Sequence, residues 1–425
     1  MNPLHLASGP AMLRRPFQPA ASLRRLQERK LRRLIGHAYA HVAHYRETMD
    51  GLGLKPGDIR TLDDLRRLPL LDKIRLQSLP ETAKTADNID LGRCLRFTTS
   101  GTSGRPLTVY FTRRDFAVRN LNCARTYVAA GARPWDKIGL ISGDLVVNNR
   151  KTLRQRAGLW RRHEVSSWLG PDVWIEEMLR EKPDVLIGRV TTLSILGQAL
   201  KDRGIDGLRP RLIISSAETL DPASREFFQE TFGSRVVDHY GCFEAGCAAW
   251  ECPRCGGYHL NADVLIVEVL GMDGHPVPPG ESGEVVVTNL HSYAMPFIRY
   301  RQEDLVVPSA RPSKCGRRFP LLDRLEGRRD DQIVRPDGRR IPAQSVYHVM
   351  IPVPAVRRWQ VVQESVERVV VRVEPLPGFG IEAERILVET MQTLIGKDIR
   401  VEVVQVDKIE TDPNKKTRVV TSLIR

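Results

Sequence analysis

Residues Thr98–Pro106 read Thr-Thr-Ser-Gly-Thr-Ser-Gly-Arg-Pro and lie between the apolar-basic segment Leu95–Phe97 and the strand-like segment Leu107–Phe111. Five hydroxyl side chains and two glycines fall within the first seven of these residues. A loop of this kind can direct many N–H and O–H donors toward one point, which suits an anion with several acceptor oxygens, such as a triphosphate. No Gly-Lys-Ser/Thr follows, so this is not a Walker loop. The alternative interpretation is a polar hairpin turn.

Length and composition predict two or three domains with real cores. The chain has 425 residues, of which 41% are hydrophobic. It contains no apolar run of about 18 residues, which argues against a transmembrane helix. The first 20 residues also lack the apolar stretch of a secretory signal. We therefore expect a cytoplasmic protein with no membrane partner.

The charge pattern indicates small anionic substrates more than a nucleic acid. The formal net charge is +14, and the arginines that supply much of it are spread along the whole chain. A nucleic-acid-binding protein would more often concentrate its cations in one stripe with interleaved aromatic residues. Dispersed arginines suit an enzyme that acts on anions, so we expect no nucleic-acid partner.

Alternating strand-like and helical segments predict an α/β fold with parallel strands. Ligands of such sheets bind beyond the carboxyl ends of the strands, where we place residues 215–218 and 238–241. The strand-like segments are 137–141, 185–188, 211–215 and 235–238, and the helical ones are 191–203 and 222–232.

The predicted architecture is a large N-terminal domain followed by a small one. Residues 1–326 would combine parallel-containing α/β sheets with a β-rich subdomain, whose strands we expect within residues 264–288. The pattern changes after Gly327, and residues 332–425 would form a small α+β domain of ordinary size. Residues 327–331 would connect the two.

Five further segments follow the hydroxyl-rich loop in a particular order, and together the six segments are highly specific. They are Ser216–Glu218, Tyr240–Glu244, Arg299–Asp304, Gly327–Asp331 and Pro413–Arg418. In order and spacing the chain resembles the adenylate-forming superfamily of acyl-CoA synthetases and adenylation domains. Its short length and its Cys/His insertion look most like the phenylacetate–CoA ligase branch. The resemblance extends over about residues 25–420.

The resemblance implies which residues would bind ATP. Tyr240 would stack on adenine, and Asp304 and Arg328 would contact the ribose. Glu303 stands where relatives usually carry glycine. The phosphate-binding residues would be Thr99, Ser100, Gly101, Thr102, Ser103 and Gly104. The nucleotide-binding residues would be Ala217, Glu218, Asp238, Tyr240, Gly241, Asp304 and Arg328.

The resemblance also implies two catalytic residues and a moving domain. Glu244 would hold Mg²⁺, since hard carboxylate oxygen suits that ion; its alternative is an acid at the start of a helix. Lys416 would reach the acyl carboxylate and the α-phosphate when the small domain closes. Lys415 replaces the usual glycine, so the two lysines are not separated, and a basic surface tail is the alternative. Asp330 would be the hinge, or else a solvated linker charge.

The acid would lie near Ser142, Ser215 and His239, and no residue there identifies it. The family-level expectation is an aryl or arylacetic acid.

The cysteine pattern indicates a metal site. An odd count of seven, with four cysteines between residues 242 and 255, argues against a disulfide framework. Cys-x-x-Cys followed by a nearby His can clasp one tetrahedral Zn²⁺, and some relatives carry a structural zinc at this place. Four ligands would come from Cys247, Cys252, Cys255, His259 and Cys315. Unliganded buried thiols are the alternative.

Three functional hypotheses remain open. The first is a Mg²⁺-ATP-dependent acid–CoA ligase, with ATP, Mg²⁺ and coenzyme A as cofactors and structural Zn²⁺. The second keeps adenylation but uses a non-CoA acceptor, as an amide synthetase or an adenylyltransferase. The third is a non-catalytic nucleotide-binding relative. The expected partners are a small carboxylic acid and CoA or another small acceptor, and a homodimer is left open.

Overall fold

The protein is described here by a computed structural model that covers residues 10–98, 107–142, 152–328, 332–350, 353–409 and 419–424. Its α-helices are α1 (Ala20–His41), α2 (Ala43–Gly51), α3 (Lys73–Ser78), α4 (Glu81–Lys84), α5 (Arg113–Ala130), α6 (Leu153–Arg156), α7 (Pro171–Glu181), α8 (Val190–Asp202), α9 (Pro222–Phe232), α10 (Ala343–Met350) and α11 (Ile381–Ile395).

The strands follow the same chain order. They are β1 (Leu95–Thr98), β2 (Thr108–Phe111), β3 (Lys137–Ser142), β4 (Arg161–Ser166), β5 (Val185–Gly188), β6 (Leu212–Ser216), β7 (Arg235–Cys242), β8 (Gly246–Cys252), β9 (Gly257–Leu260), β10 (Leu265–Leu270), β11 (Gly283–Asn289), β12 (Tyr300–Pro308), β13 (Leu321–Arg328), β14 (Gln332–Val334), β15 (Arg340–Pro342), β16 (Val356–Ser365), β17 (Arg368–Pro375), β18 (Arg400–Gln405) and β19 (Val420–Ser422).

The chain divides into two compact units. The first consists of residues 1–132, 239–302 and 306–324, and the second of residues 133–238, 303–305 and 325–425. In both units, segments that are distant in the sequence are assembled together.

The second unit contains the predicted parallel sheet. β4 pairs with β3, β3 with β5, and β5 with β6, and all three pairings are parallel. All four residues of β5 are buried, as expected for a strand covered on both faces. Helices α7, α8 and α9 cover the sheet through a core that includes Trp174, Leu193 and Phe228. The mixed α/β fold expected from the sequence is therefore confirmed.

The first unit combines the N-terminal helices with antiparallel strands. α1 buries the apolar face that its sequence period predicts, including Leu31, Leu34 and Ile35, and exposes its arginines. β7 pairs with β8, and β8 with β9, as antiparallel neighbours. β10 and β11 form another antiparallel pair. This confirms the β-rich character expected within residues 264–288.

The C-terminal segment has a hydrophobic core of its own. The sheet β18-β17-β16-β19 packs with α10 and α11, and the core residues of this cluster run from Ile333 to Val420. The division at residue 326 and the hinge at 327–331 remain predictions.

Among the described residues, none of the helices combines the length and the apolar character that crossing a bilayer requires.

The core of the C-terminal segment can be tested with two residues of α11. Leu387 is fully buried, whereas Ile381 is 90% exposed. Leu387→Ala should lower the free energy of unfolding by about 2–5 kcal/mol, because it leaves a cavity. Ile381→Ala should change it by less than about 0.5 kcal/mol. Urea denaturation followed by circular dichroism measures both, and equal effects would contradict this packing.

Candidate functional site

The turn that carries Glu244 connects β7 and β8. β7 continues to Cys242, so Asp238 lies inside the strand and not beyond its carboxyl end as the sequence predicted. A β-bulge separates Tyr240 from Gly241 in the pairing with β8. A Cβ atom at position 241 would overlap the backbone oxygen of Gly246. The turn is therefore a close backbone approach that only glycine allows at this position.

Glu244 is buried, and hydrogen bonds hold both its side chain and its backbone carbonyl group. It is 7% exposed. The Tyr300 hydroxyl donates to Glu244 Oε1 at 3.2 Å, and Asn289 Nδ2 donates to the Glu244 carbonyl oxygen at 2.7 Å. Because the residue lies in a turn between strands, the helix-start alternative is wrong. A carboxylate fixed in this way is preorganised for a cation or a hydrogen-bond donor.

The two residues expected at the ribose lie side by side. Asp304 on β12 and Arg328 at the end of β13 form an ion pair, with 3.6 Å between Asp304 Oδ1 and Arg328 Nε. Glu303 has a φ of +61°. The backbone there adopts a left-handed conformation that favours glycine, at a cost of about 1–2 kcal/mol.

Residues of β6, of β7 and of the segment that follows β6 form a second polar group, in the second unit. Ser215 Oγ donates to Asp238 Oδ1 at 2.5 Å, and both residues are buried. Ala217 has a φ of +67°, which marks a sharp local turn. Glu218 Oε2 accepts the backbone N–H of Thr191 at 2.7 Å, near the start of α8. This bond gives Glu218 a structural role at a helix N-terminus.

His239 is an uncharged, buried ring. Burial lowers its pKa to about 3, so the imidazole is neutral at physiological pH. It stacks on Tyr127, with ring centroids 5.5 Å apart. Within the described part of the chain, His239 Nε2 has no hydrogen-bond partner. The residue offers an aromatic face and a neutral polar atom, and no positive charge.

Of the remaining predicted site residues, one lies on β3 and the others lie outside the described part of the chain. Ser142 ends β3 and is half-buried. The phosphate-binding residues 99–104, the hinge residue Asp330 and the lysines Lys415 and Lys416 lie outside the described residues.

Three cysteines and one histidine form a cluster in the first unit. The possible ligand atoms of Cys252, Cys255, His259 and Cys315 all lie within 4.8 Å of one another. His259 Nε2 is 3.1 Å from Cys315 Sγ and 3.7 Å from Cys255 Sγ. The other ring nitrogen, Nδ1, is 3.3 Å from the Phe319 carbonyl oxygen. This contact orients the ring so that Nε2 faces the sulfurs, as in zinc sites with a histidine ligand.

Within the cluster, burial raises the pKa of the Cys252 thiol to about 11, whereas the Cys315 thiol suits a cation. Burial raises the pKa of the Cys315 thiol, but hydrogen bonds from Ser313, Arg317 and His259 outweigh burial and lower the pKa to about 5. Cys247, the fifth candidate, lies elsewhere, with its Sγ 3.5 Å from Thr126 Oγ1 and 3.9 Å from His239 Nδ1. Four sulfur and nitrogen donors at this spacing fit tetrahedral Zn²⁺.

Comparison with known proteins shows which families this chain resembles. Residues 94–293 match the model of the AMP-binding enzyme family, and residues 333–422 match that of the CapK C-terminal domain. A phenylacetate–coenzyme A ligase of Thermus thermophilus is 29% identical over 351 residues, which cover 80% of this chain and 77% of that protein. The phenylacetate–coenzyme A ligase of Escherichia coli is 29% identical over 77% of each chain.

The chain is thus similar to adenylate-forming enzymes and, among its curated relatives, to phenylacetate–CoA ligases.

Solved structures agree with this family at the level of the fold. A 2-hydroxyisobutyryl-CoA ligase in complex with an acyl adenylate superimposes with a TM-score of 0.82 at 21% identity, covering 96% of this chain and 91% of that one. An anthranilate–CoA ligase in complex with anthranoyl-AMP gives a TM-score of 0.58 at 16% identity, covering 86% of this chain and 71% of that one.

Sequence reasoning missed the residues that fix Glu244. Tyr300 and Asn289 lie more than 40 residues away in the chain, and only tertiary structure brings them to the turn. The Arg299-Tyr300-Arg301 segment was recognised as a motif, but its spacing does not indicate where the tyrosine hydroxyl points.

The close approach at Gly241 gives a direct test of the turn. Gly241→Ala should lower the melting temperature strongly, because the added methyl group would overlap a backbone atom that no rotamer change can move. The matched control is Gly36→Ala within α1, where an added Cβ has no neighbour within 4 Å. The control should be neutral or stabilising by about 0.5–1 kcal/mol. An unchanged melting temperature in Gly241→Ala would disprove this turn geometry.

Proposed function

We propose that this protein is an ATP-dependent acid–CoA ligase. The acid carboxylate would attack the α-phosphorus of ATP, forming an acyl adenylate and releasing pyrophosphate. The CoA thiol would then attack the acyl carbon and release AMP. The observation that carries this proposal is the match to the AMP-binding enzyme family over residues 94–293, together with curated phenylacetate–CoA ligases that align over 75–80% of the chain.

Adenylation leaves the protein mainly the tasks of positioning and charge stabilisation. Glu244 would hold Mg²⁺ against the phosphates, for which its fixed, buried carboxylate is suited. Asp304 would accept hydrogen bonds from the ribose hydroxyls, and Arg328, its ion-pair partner, would be the second ribose contact. Residues 99–104 would bind the β- and γ-phosphates through N–H and O–H donors.

Lys416 would act in one state only, by reaching the acyl carboxylate and the α-phosphate when the small domain closes about Asp330. Lys415 is the alternative residue for this role.

The acid would be an aryl or arylacetic acid. The curated relatives named phenylacetate–CoA ligases support this class. The neutral, buried ring of His239 stacks on the Tyr127 ring, so the surroundings of this position are aromatic and uncharged. Such surroundings favour the apolar body of an acid over its carboxylate. Ser142 and Ser215 remain the other candidates for contacts with the acid.

We also propose that Cys252, Cys255, His259 and Cys315 bind one structural Zn²⁺. With four protein ligands the ion would have no open coordination position, so it would brace the segments that carry them. It would take no part in the reaction.

One observation favours a second candidate function, adenylation with an acceptor other than CoA. The C-terminal segment at 333–422 matches the CapK C-terminal domain. Because this segment is the part that would admit the acceptor, a distinct C-terminal family is consistent with a distinct acceptor. An amine acceptor, or an adenylate that remains the product, would both fit this alternative.

The adenylation step is tested by pyrophosphate release with a panel of aryl and arylacetic acids. Wild type should release pyrophosphate with at least one acid, and Glu244→Gln should lower kcat by about 10²–10³-fold through the loss of one electrostatic group. The matched control is Glu281→Gln, because Glu281 is exposed in a loop of the same unit. If Glu244→Gln behaves like this control, Glu244 is not the magnesium ligand.

The acceptor is tested by adding CoA or amines to the same reaction and identifying the product by mass spectrometry. An acyl-CoA supports the first proposal, and an amide or a released acyl adenylate supports the second. No pyrophosphate with any acid would contradict both.

The zinc proposal is tested by metal analysis of the purified protein. We expect one equivalent of zinc in wild type, loss of most of it in Cys315→Ser, and a lower melting temperature after chelation. Cys247→Ser is the control, because Cys247 lies outside the cluster. Zinc that is lost from Cys247→Ser but kept in Cys315→Ser would overturn the ligand assignment.

A further inference from the structure

Helix α5 connects two parts of the proposed ATP site. It begins directly after β2, the strand that follows the phosphate-loop residues, and its start is fixed by a capping box between Thr112 and Asp115. Asp115 Oδ2 also accepts the backbone N–H groups of Tyr293 and Ala294. Further along α5, Asn122 Nδ2 donates to the Cys247 carbonyl oxygen on β8 at 2.7 Å. The helix is therefore anchored before and after position 119.

Arg119 lies between these anchors and contacts the turn that carries Glu244. Its Nη1 donates to the Phe243 carbonyl oxygen at 2.5 Å. Its guanidinium carbon lies 5.7 Å from the centroid of the Phe243 ring and 5.4 Å from that of Phe111. One planar cation thus binds both the backbone and the side chain of the residue before Glu244. A planar cation that lies over aromatic rings while it directs an N–H donor at a carbonyl oxygen is a combination that arginine provides and lysine does not.

The same group of rings reaches the base of the phosphate loop. Phe97 on β1, two residues before Thr99, packs against Phe243 with ring centroids 5.9 Å apart. It also stacks on Phe116 of α5 at 5.3 Å and contacts Phe111 of β2 at 6.1 Å. The β1–β2 pair and the Glu244 turn therefore share one aromatic cluster, and Arg119 covers it from α5.

We propose that Arg119 is a positioning residue for adenylation, which holds the Glu244 turn in fixed register with the hairpin from which the phosphate loop extends. This inference rests on the proposed function. Arg119 acts through Glu244 and not by contact with the reacting atoms, since its guanidinium is engaged by a carbonyl oxygen and two rings. Removing it should loosen the magnesium carboxylate relative to the phosphates.

The test compares Arg119→Ala, Arg119→Lys and the matched control Arg113→Ala, an exposed arginine on the same helix. Pyrophosphate release is measured as a function of Mg²⁺, ATP and acid. We expect Arg119→Ala to lower kcat by about 10–100-fold, as misplacement of a catalytic group does. We also expect a several-fold higher Mg²⁺ concentration for half-maximal rate, with the KM for the acid unchanged. Arg119→Lys should fall between Arg119→Ala and wild type.

Each outcome decides the question. If Arg119→Ala has the same Mg²⁺ dependence as Arg113→Ala while wild type is active, the inference is wrong and the proposed function stands. A lower melting temperature with an unaltered Mg²⁺ half-saturation of the folded protein would mean a purely structural role, and would also overturn the inference. Wild type that releases no pyrophosphate with any acid would remove the proposed function and this inference together.

Discussion

The close approach of two backbone segments at Gly241 and Gly246 is the constraint on which the candidate site depends. Without a side chain at position 241, β7 can bulge and turn back as β8 within three residues. That turn buries the Glu244 carboxylate under the Tyr300 hydroxyl. A bulkier residue at position 241 would separate β7 from β8. The close approach of Gly241 to Gly246 and the hydrogen bond from Tyr300 to Glu244 would then both be lost. The geometry of the proposed magnesium ligand is therefore set by a position that has no chemistry of its own.

Polar side chains bind the backbone of this turn, and aromatic rings pack beside it. Asn289 and Arg119 bind its backbone carbonyl oxygens, so the orientation of the turn does not depend on the Glu244 side chain alone. Backbone anchoring of this kind costs little reorganisation when a ligand binds. It also explains why a loop residue can be buried without leaving backbone groups unsatisfied.

Much of the fold could be predicted from the sequence, because it depends on local patterns. Buried strands such as Val185–Gly188 and helices such as Pro222–Phe232 were predicted with the bounds that the structure shows. Periodicity and turn residues encode such elements directly. β7 was predicted four residues too short, since its last residues include a glycine and a bulge that disguise the strand pattern.

The candidate site was less accessible from the sequence. The sequence indicated five candidate ligands, but choosing Cys252, Cys255, His259 and Cys315 among them and leaving out Cys247 required tertiary contacts. The left-handed conformation of Glu303 could not be predicted from its residue type either, since glutamate disfavours a positive φ. Pairings between distant residues depend on the whole fold.

Photolabelling of the protein with 8-azido-ATP and Mg²⁺, followed by peptide mapping, tests directly whether the Glu244 turn lies in an ATP site. We expect Mg²⁺-dependent labelling of the peptide that contains Tyr240 and Glu244, and its suppression by excess ATP. Labelling confined to peptides that lack the six sequence motifs, or labelling that ATP does not suppress, would contradict it.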